Sequence, residues 1–205
     1  MKRFIGVLVA ITMLISMFGN ALCAEVEDFN LIEYLQINEV SSREELMSVI
    51  SFECNSSVVG MCTYPQAYAC ALNEQEVSFN IEIDYDNQIV IVDTIYETNA
   101  STYTTSGRAF RDVCSSQGNL LFTIEVNGVF ARTSQTVTAT SVTGSFYRPA
   151  GSNWNSSPSL TKGFISRTKA YARISGVAST GSESMNYTLT LMCDTSGTLT
   201  SSFSS

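Results

Sequence analysis

The chain contains no histidine. That absence removes Ser-His-Asp triads, Cys-His dyads and sortase-like sites together, and it removes His-ligated zinc. Lysine is scarce as well: beyond Lys2 only Lys162 and Lys169 remain, so a Ser-Lys dyad would have to use one of them. The cysteines show no Cys-x-x-Cys spacing, which argues against thiol redox catalysis. No repeat period, sorting motif or second long apolar run follows the N-terminal one.

The N-terminal run itself reads as a leader. Lys2 and Arg3 precede an apolar stretch over residues 4–18, the length of a signal h-region and short for a bilayer span. Gly19 and Asn20 break it, and Ala24 offers a small residue before Glu25, giving a signal peptide over 1–24; a cut after Cys23 is the alternative. Asn20 and Leu22 stand where a lipobox needs a bulky apolar and a small residue, which argues against a lipidated Cys23. The expected product is secreted and extracellular, with no transmembrane anchor.

After that cut, nine basic residues face 19 acidic ones, a charge of −10. Residues 25–100 hold 15 acids and a single base, Arg43, whereas residues 101–205 hold four acids and eight bases. So acidic a first half disfavours nucleic acid as a partner, and the split suggests two halves docked on each other. Cys54, Cys62, Cys70, Cys114 and Cys193 make an odd number, consistent with an oxidising compartment but leaving one thiol over. A Cys114–Cys193 disulfide is the preferred bridge; it would close a loop of about 80 residues, worth on the order of 4–5 kcal/mol.

Residues 25–75 read as an acidic helical or irregular segment carrying cysteines, and 76–205 as the main domain. Ser41 and Glu44 have capping-box spacing before Leu46, Met47, Val49 and Ile50. Gly60 and Pro65 make the cysteine-bearing stretch 54–70 look like loop. From Val77 the period becomes two: Val77, Phe79, Ile81, Ile83 and Tyr85 alternate with polar residues, mostly acids, then residues 84–87 turn and 89–92 return as a strand buried on both sides. Strands are expected over 108–115 and 119–126, and Asn127-Gly128 reads as a type I′ hairpin turn into 129–133. Residues 136–147, 164–174 and 185–193 supply further strands; 148–163 reads as loop and 195–205 as a Ser/Thr tail. The fold class is mainly β, an antiparallel β-sandwich, Ig-like or related, with a barrel as alternative.

The closing segment from Tyr187 through Cys193 and Gly197 to Leu199 resembles, in composition and strand order, small secreted β-sandwich proteins of Gram-positive bacteria whose function is uncharacterised. The resemblance spans roughly residues 105–205. It implies a bacterial, secreted sandwich and supplies no catalytic residue.

Three groups of residues stand out. Glu82, Asp84 and Asp86 share one strand face and offer oxygen ligands for calcium or, with Asp93 and Glu97, a carboxylate pair for hydrolysis; a solvated face is the plainer reading. Arg167, Lys169, Tyr171 and Arg173 alternate on one expected strand and form a patch for anionic polymers. Trp154, the sole tryptophan, near Tyr147 and between Asn153 and Asn155, suits either sugar stacking or core packing. Asn55, Asn99, Asn155 and Asn186 head sequons that matter only in a glycosylating host. The reading that follows is a non-enzymatic, cofactor-free binding protein for a glycan, cell-wall polymer or surface protein. The alternatives are an antagonist or toxin masked by its acidic segment, and a carboxylate-based hydrolase.

Overall fold

The computed structural model describes residues 29–54 and 74–205, the side chains of 51–54 excepted. The leader, Cys62, Cys70, Gly60 and Pro65 lie outside the described residues, as does the side chain of Cys54. Among the described residues two helices come first, α1 (Leu31–Ile37) and α2 (Arg43–Cys54). Strands β1 (Gln75–Asp84), β2 (Ile89–Ala100), β3 (Thr104–Ser115), β4 (Leu120–Arg132) and β5 (Val137–Tyr147) follow, then β6 (Ser159–Ser166), β7 (Lys169–Ser179), β8 (Ser184–Asp194) and β9 (Leu199–Ser204). The first five form one antiparallel sheet in chain order and the last four a second. Among the described residues no helix is long and apolar enough to cross a membrane.

Strand alternation explains why the larger sheet carries two different cores. Successive side chains point to opposite faces. On one face Val90, Val92, Cys114 and Leu120 meet Leu31 and Ile32 of α1 and Leu46, Met47 and Ile50 of α2. Phe79, Ile81 and Ile83 of β1 pack at the border of that cluster, as the alternation from Val77 predicts. On the other face Ala109, Val113, Phe122, Ile124, Val126 and Phe130 share one cluster with Ala170, Ala172, Ile174, Leu189, Leu191 and Leu199 of the smaller sheet. A strand buried on both faces loses the polar half of its pattern, hence the unbroken apolar run at 89–92.

Helix starts follow from capping chemistry. The Asn30 side chain accepts hydrogen bonds from the backbone N–H groups of Ile32 and Glu33 and starts α1. At α2 the capping box sits one residue later than the sequence spacing suggests. Glu45 N–H donates to Ser42 Oγ (3.2 Å), and the Glu45 carboxylate accepts from Ser41 N–H (2.9 Å). The helix then runs on to Cys54, into the stretch expected to be loop.

Three further expectations give way. Asn127-Gly128 is no turn: β4 runs straight through it, and neither residue has a positive φ. Gly128 is needed for space, because a Cβ there would sit 2.7 Å from the Phe130 ring and 2.9 Å from Ala172 Cβ. Residues 164–174 are not one strand but the end of β6 and the start of β7, joined at Arg167-Thr168. The Ser/Thr tail contains β9, whose Leu199 and Phe203 pack toward the core between the sheets. The turn at 84–87 forms as expected, with Gln88 at φ 54° completing it.

Candidate functional site

Strand β7 is central in the smaller sheet, between β6 and β8, and its alternation splits it cleanly. Ala170, Ala172, Ile174 and Ala178 are buried against the larger sheet. Lys169, Tyr171, Arg173, Ser175 and Val177 therefore form a row on the outer face. The Tyr171 ring covers its cross-strand neighbour Gly163, where a Cβ would meet the ring at 3.0 Å. The Arg173 guanidinium stands 4.6 Å from the Tyr171 ring centre, and its Nε–H donates to Thr190 Oγ1 (3.1 Å). Among the described residues no carboxylate lies within ion-pair distance of Lys169 or Arg173. Of the four residues expected to make this patch, the structure brings Lys169, Tyr171 and Arg173 together. Arg167 occupies the β6–β7 turn instead, exposed at its end.

At its far end the row enters a cleft of about 810 Å³ lined by residues of 155–159, β7 and β8. Its origin is a gap in edge pairing. Asn155 and Ser179 exchange two backbone hydrogen bonds (2.8 and 2.9 Å), and Ser159 pairs with Ser175 further along. Between these anchors no backbone bond joins Ser157 to Val177. Alternate residues of a strand aim their N–H and C=O the same way, so Val177, like Ser175 and Ser179, presents both toward this gap. Ser156 Oγ is held 2.8 Å from the hydroxyl of Tyr187, a side chain otherwise buried in the core. Burial pushes the Tyr187 phenol above its usual range, against the pull of the Ser156 hydrogen bond. Ser175, Asn186 and Thr188 add hydroxyls and an amide to a lining that also includes Gly176 and the exposed Val177 side chain, and that holds no carboxylate, ammonium or guanidinium.

Sequence reasoning did not single out this cleft. Its one local signal is the polar set Asn186, Thr188 and Thr190 at every second position against Tyr187, Leu189 and Leu191. That pattern marks an outward polar face but not a break in the neighbouring edge.

Trp154 and Tyr147 do not share a surface. Trp154 is half-buried and packs on Phe122, ring centres 5.0 Å apart, at the border of the core between the sheets. It also lines a second depression of about 800 Å³ with Ser152, Asn153, Thr180 and Glu183. Tyr147 packs at the border of the helix-side core instead, on the other face of the larger sheet.

The acidic hairpin is not gathered for a metal. Asp84 spends its carboxylate on the turn, accepting from the backbone of Asp86 (3.1 Å) and Asn87 (3.0 Å) and from Asn87 Nδ2 (2.8 Å). The Asn87 side-chain and backbone hydrogen bonds hold its pKa below the ordinary value. Glu82 and Asp86 are exposed, and among the described residues no three His, Cys, Asp or Glu side chains are grouped to hold a metal ion. Asp93 pairs with Arg111, whose guanidinium lies 3.6 Å from the Phe203 ring centre. Burial pushes the Asp93 carboxyl upward, partly offset by that arginine.

Nor does the fold unite Cys114 with Cys193. Cys193 is buried between the sheets and forms no disulfide, whereas Cys114 is buried on the helix side of the larger sheet. Alternation along β3 puts Cys114 on the face opposite Val113, away from the core that holds Cys193.

The charge split between the halves resolves into specific pairs. Glu74 with Arg108 and Asp93 with Arg111 each join an acid of the first half to a base of the second. Arg43 reverses the arrangement, pairing with Asp112.

No protein-family model, curated protein or solved structure matches the chain.

Proposed function

We propose that this is a secreted β-sandwich binding protein, non-enzymatic, that holds a glycan or wall polymer at the cell surface through the outer face of its smaller sheet. Two antiparallel sheets sharing one core support the sandwich reading. The observation that carries the functional reading is the uninterrupted row on β7. Lys169, cross-strand from Asp194 but not in ion-pair contact with it, and Arg173 flank Tyr171 at one end, and the row enters a cleft rich in hydroxyls at the other. Cations against an aromatic ring attract anionic groups and stack on flat ones, while hydroxyls and amides suit polyhydroxylated chains. The described part of the acidic segment, α1 and α2, lies on the far face of the larger sheet and leaves this row uncovered, which weighs against a masked toxin. The hydrolase reading loses Asp84 to its turn.

The test is a pulldown of the secreted chain on purified wall polymers, together with a glycan array, at low and high salt. Binding that weakens with salt and falls in the Lys169→Gln/Arg173→Gln variant is expected. No binding to any polymer or glycan, or binding indifferent to that double substitution, rejects the proposal.

A further inference from the structure

The gap beside β7 has the chemistry of a site rather than of a packing defect. In a strand pair, each main-chain N–H and C=O aimed at the neighbour finds a partner. Val177 aims both at a neighbour that stands off: Ser157 makes no backbone bond to it. The stand-off is fixed at three points: the two-bond bridge Asn155–Ser179, the Ser159–Ser175 pair, and Ser156 tied to the Tyr187 hydroxyl. Gly176 adds to the fit, because a Cβ there would come within 2.9 Å of that hydroxyl and 3.2 Å of Ser156 Oγ. From Ser175 to Ser179 the strand advances about 13 Å, room for one sugar ring between the anchors. Asn155 and Ser159 already pair with the β7 edge on either side of Val177, so no extended peptide can run along it and β-augmentation is obstructed.

Resting on the glycan-binding reading above, we infer that this gap is the primary subsite and takes a neutral sugar unit, whose adjacent hydroxyls pair with the Val177 N–H and C=O, while an anionic substituent on the next unit meets Arg173. A hydroxyl donates and accepts at once, so two vicinal ones answer a main-chain donor and acceptor of a single residue. Asn186 and Thr188 line the same cleft, and the absence of ionised groups from its lining favours an uncharged occupant, since a charged one would lose hydration with no counter-charge. Arg173 lies two residues beyond Ser175 on the same face, about 7 Å along the strand. Its Nε donates to Thr190 Oγ1 while the guanidinium stands over the Tyr171 ring, which leaves its terminal nitrogens without an acidic partner among the described residues. The ligand class is thus a glycan of neutral units carrying carboxylate, sulfate or phosphate substituents.

The experiment uses the full secreted chain on an array of neutral, carboxylated, sulfated and phosphorylated oligosaccharides. Calorimetry then compares a galactose tetramer with the same tetramer carrying sulfate on a single unit, and the tightest neutral array ligand with its singly substituted anionic counterpart. Two variants separate the parts: Asn186→Ala/Thr188→Val, which alters only outward side chains, and Arg173→Gln. The wild type is expected to bind the anionic member of a pair at least about tenfold more tightly at low salt. Arg173→Gln should erase that preference. Asn186→Ala/Thr188→Val should weaken both ligands about tenfold or more, with melting temperature unchanged and salt dependence retained. Glycan binding that survives the cleft variant, or that shows no anionic preference, overturns this inference while leaving the broader reading standing. Wild-type protein that binds no glycan, or binds only extended peptides, overturns both.

Discussion

Arg43 of helix α2 grips Asp112 of strand β3 at two points, Nε to Oδ2 at 2.6 Å and a terminal nitrogen to Oδ1 at 3.0 Å, with side chains 3% and 0% exposed. Thr123 Oγ1 donates a third hydrogen bond to the same carboxylate, also at 2.6 Å. Arg43 and Arg108 both stand over the Phe110 ring, 4.2 and 4.8 Å from its centre. This polar knot fixes the helix on the sheet at a definite place. An apolar contact alone would fix it less specifically.

Removing one member of the pair leaves the other charge buried. Arg43→Met should therefore cost about 3–5 kcal/mol, read from urea denaturation. The double variant Arg43→Met/Asp112→Leu should recover most of that loss, because two well-packed apolar side chains leave no charge uncompensated. A double variant as unstable as the single one would show that the knot contributes more than charge balance.

Gly128 has no room for a side chain. Gly128→Ala should destabilise by roughly 1–3 kcal/mol through overpacking against Phe130 and Ala172, and adding Ala172→Gly should return part of it. If Asn127-Gly128 were a turn, the second substitution would give no relief. Thermal melts of the three proteins decide.

Burial raises the Cys193 thiol from 9 to about 11, opposed by Arg132. The folded state then holds this proton more tightly than the unfolded chain does. The associated stability is fully present below pH 9 and is lost as pH rises from 9 toward 11. Cys193→Ala should flatten the fall in stability across that window. In native protein at pH 8 the thiol should resist iodoacetamide, and mass spectrometry should find it alkylated only after unfolding.

Trp154 packs at a tilt on Phe122 at the border of the core, so Trp154→Ala should lower stability by about 2 kcal/mol, less than for a fully buried tryptophan. Trp154→Phe should restore most of it by keeping a ring against Phe122. As the sole tryptophan, its emission should be shifted to the blue in the native state and move to the red in step with the urea transition.

Much of this fold is written in period-two patterns. Val77 to Ile83 and Tyr187 to Cys193 each announce a strand, because one face is drier and the other wetter. Patterns mislead where local chemistry is ambiguous. Asn-Gly favours a tight turn, yet at 127–128 tertiary packing needs a residue without a side chain and leaves the strand straight. β9 escapes notice because one of its three inward positions is Ser201, which blunts the alternation between Leu199 and Phe203. The row at Lys169, Tyr171 and Arg173 is legible, since a single strand sets it. The cleft is not, since it arises where two distant segments fail to pair. Arg43 and Asp112 are likewise unreadable as partners: 69 positions separate them, and only the docking of helix on sheet brings them together.

The wiring of the two sheets has a consequence during synthesis. Among the described residues every strand pairs with its neighbours in the chain, so these five strands are all present once Tyr147 is in place. The side chains that cover Phe122, Ile124, Val126 and Phe130 come from β7 to β9, which end at Ser204. At about 5–20 residues per second, that apolar face stays bare for roughly 3–12 s on each nascent chain. A factor that shields this face until β7 to β9 arrive would favour the folded protein over its aggregates.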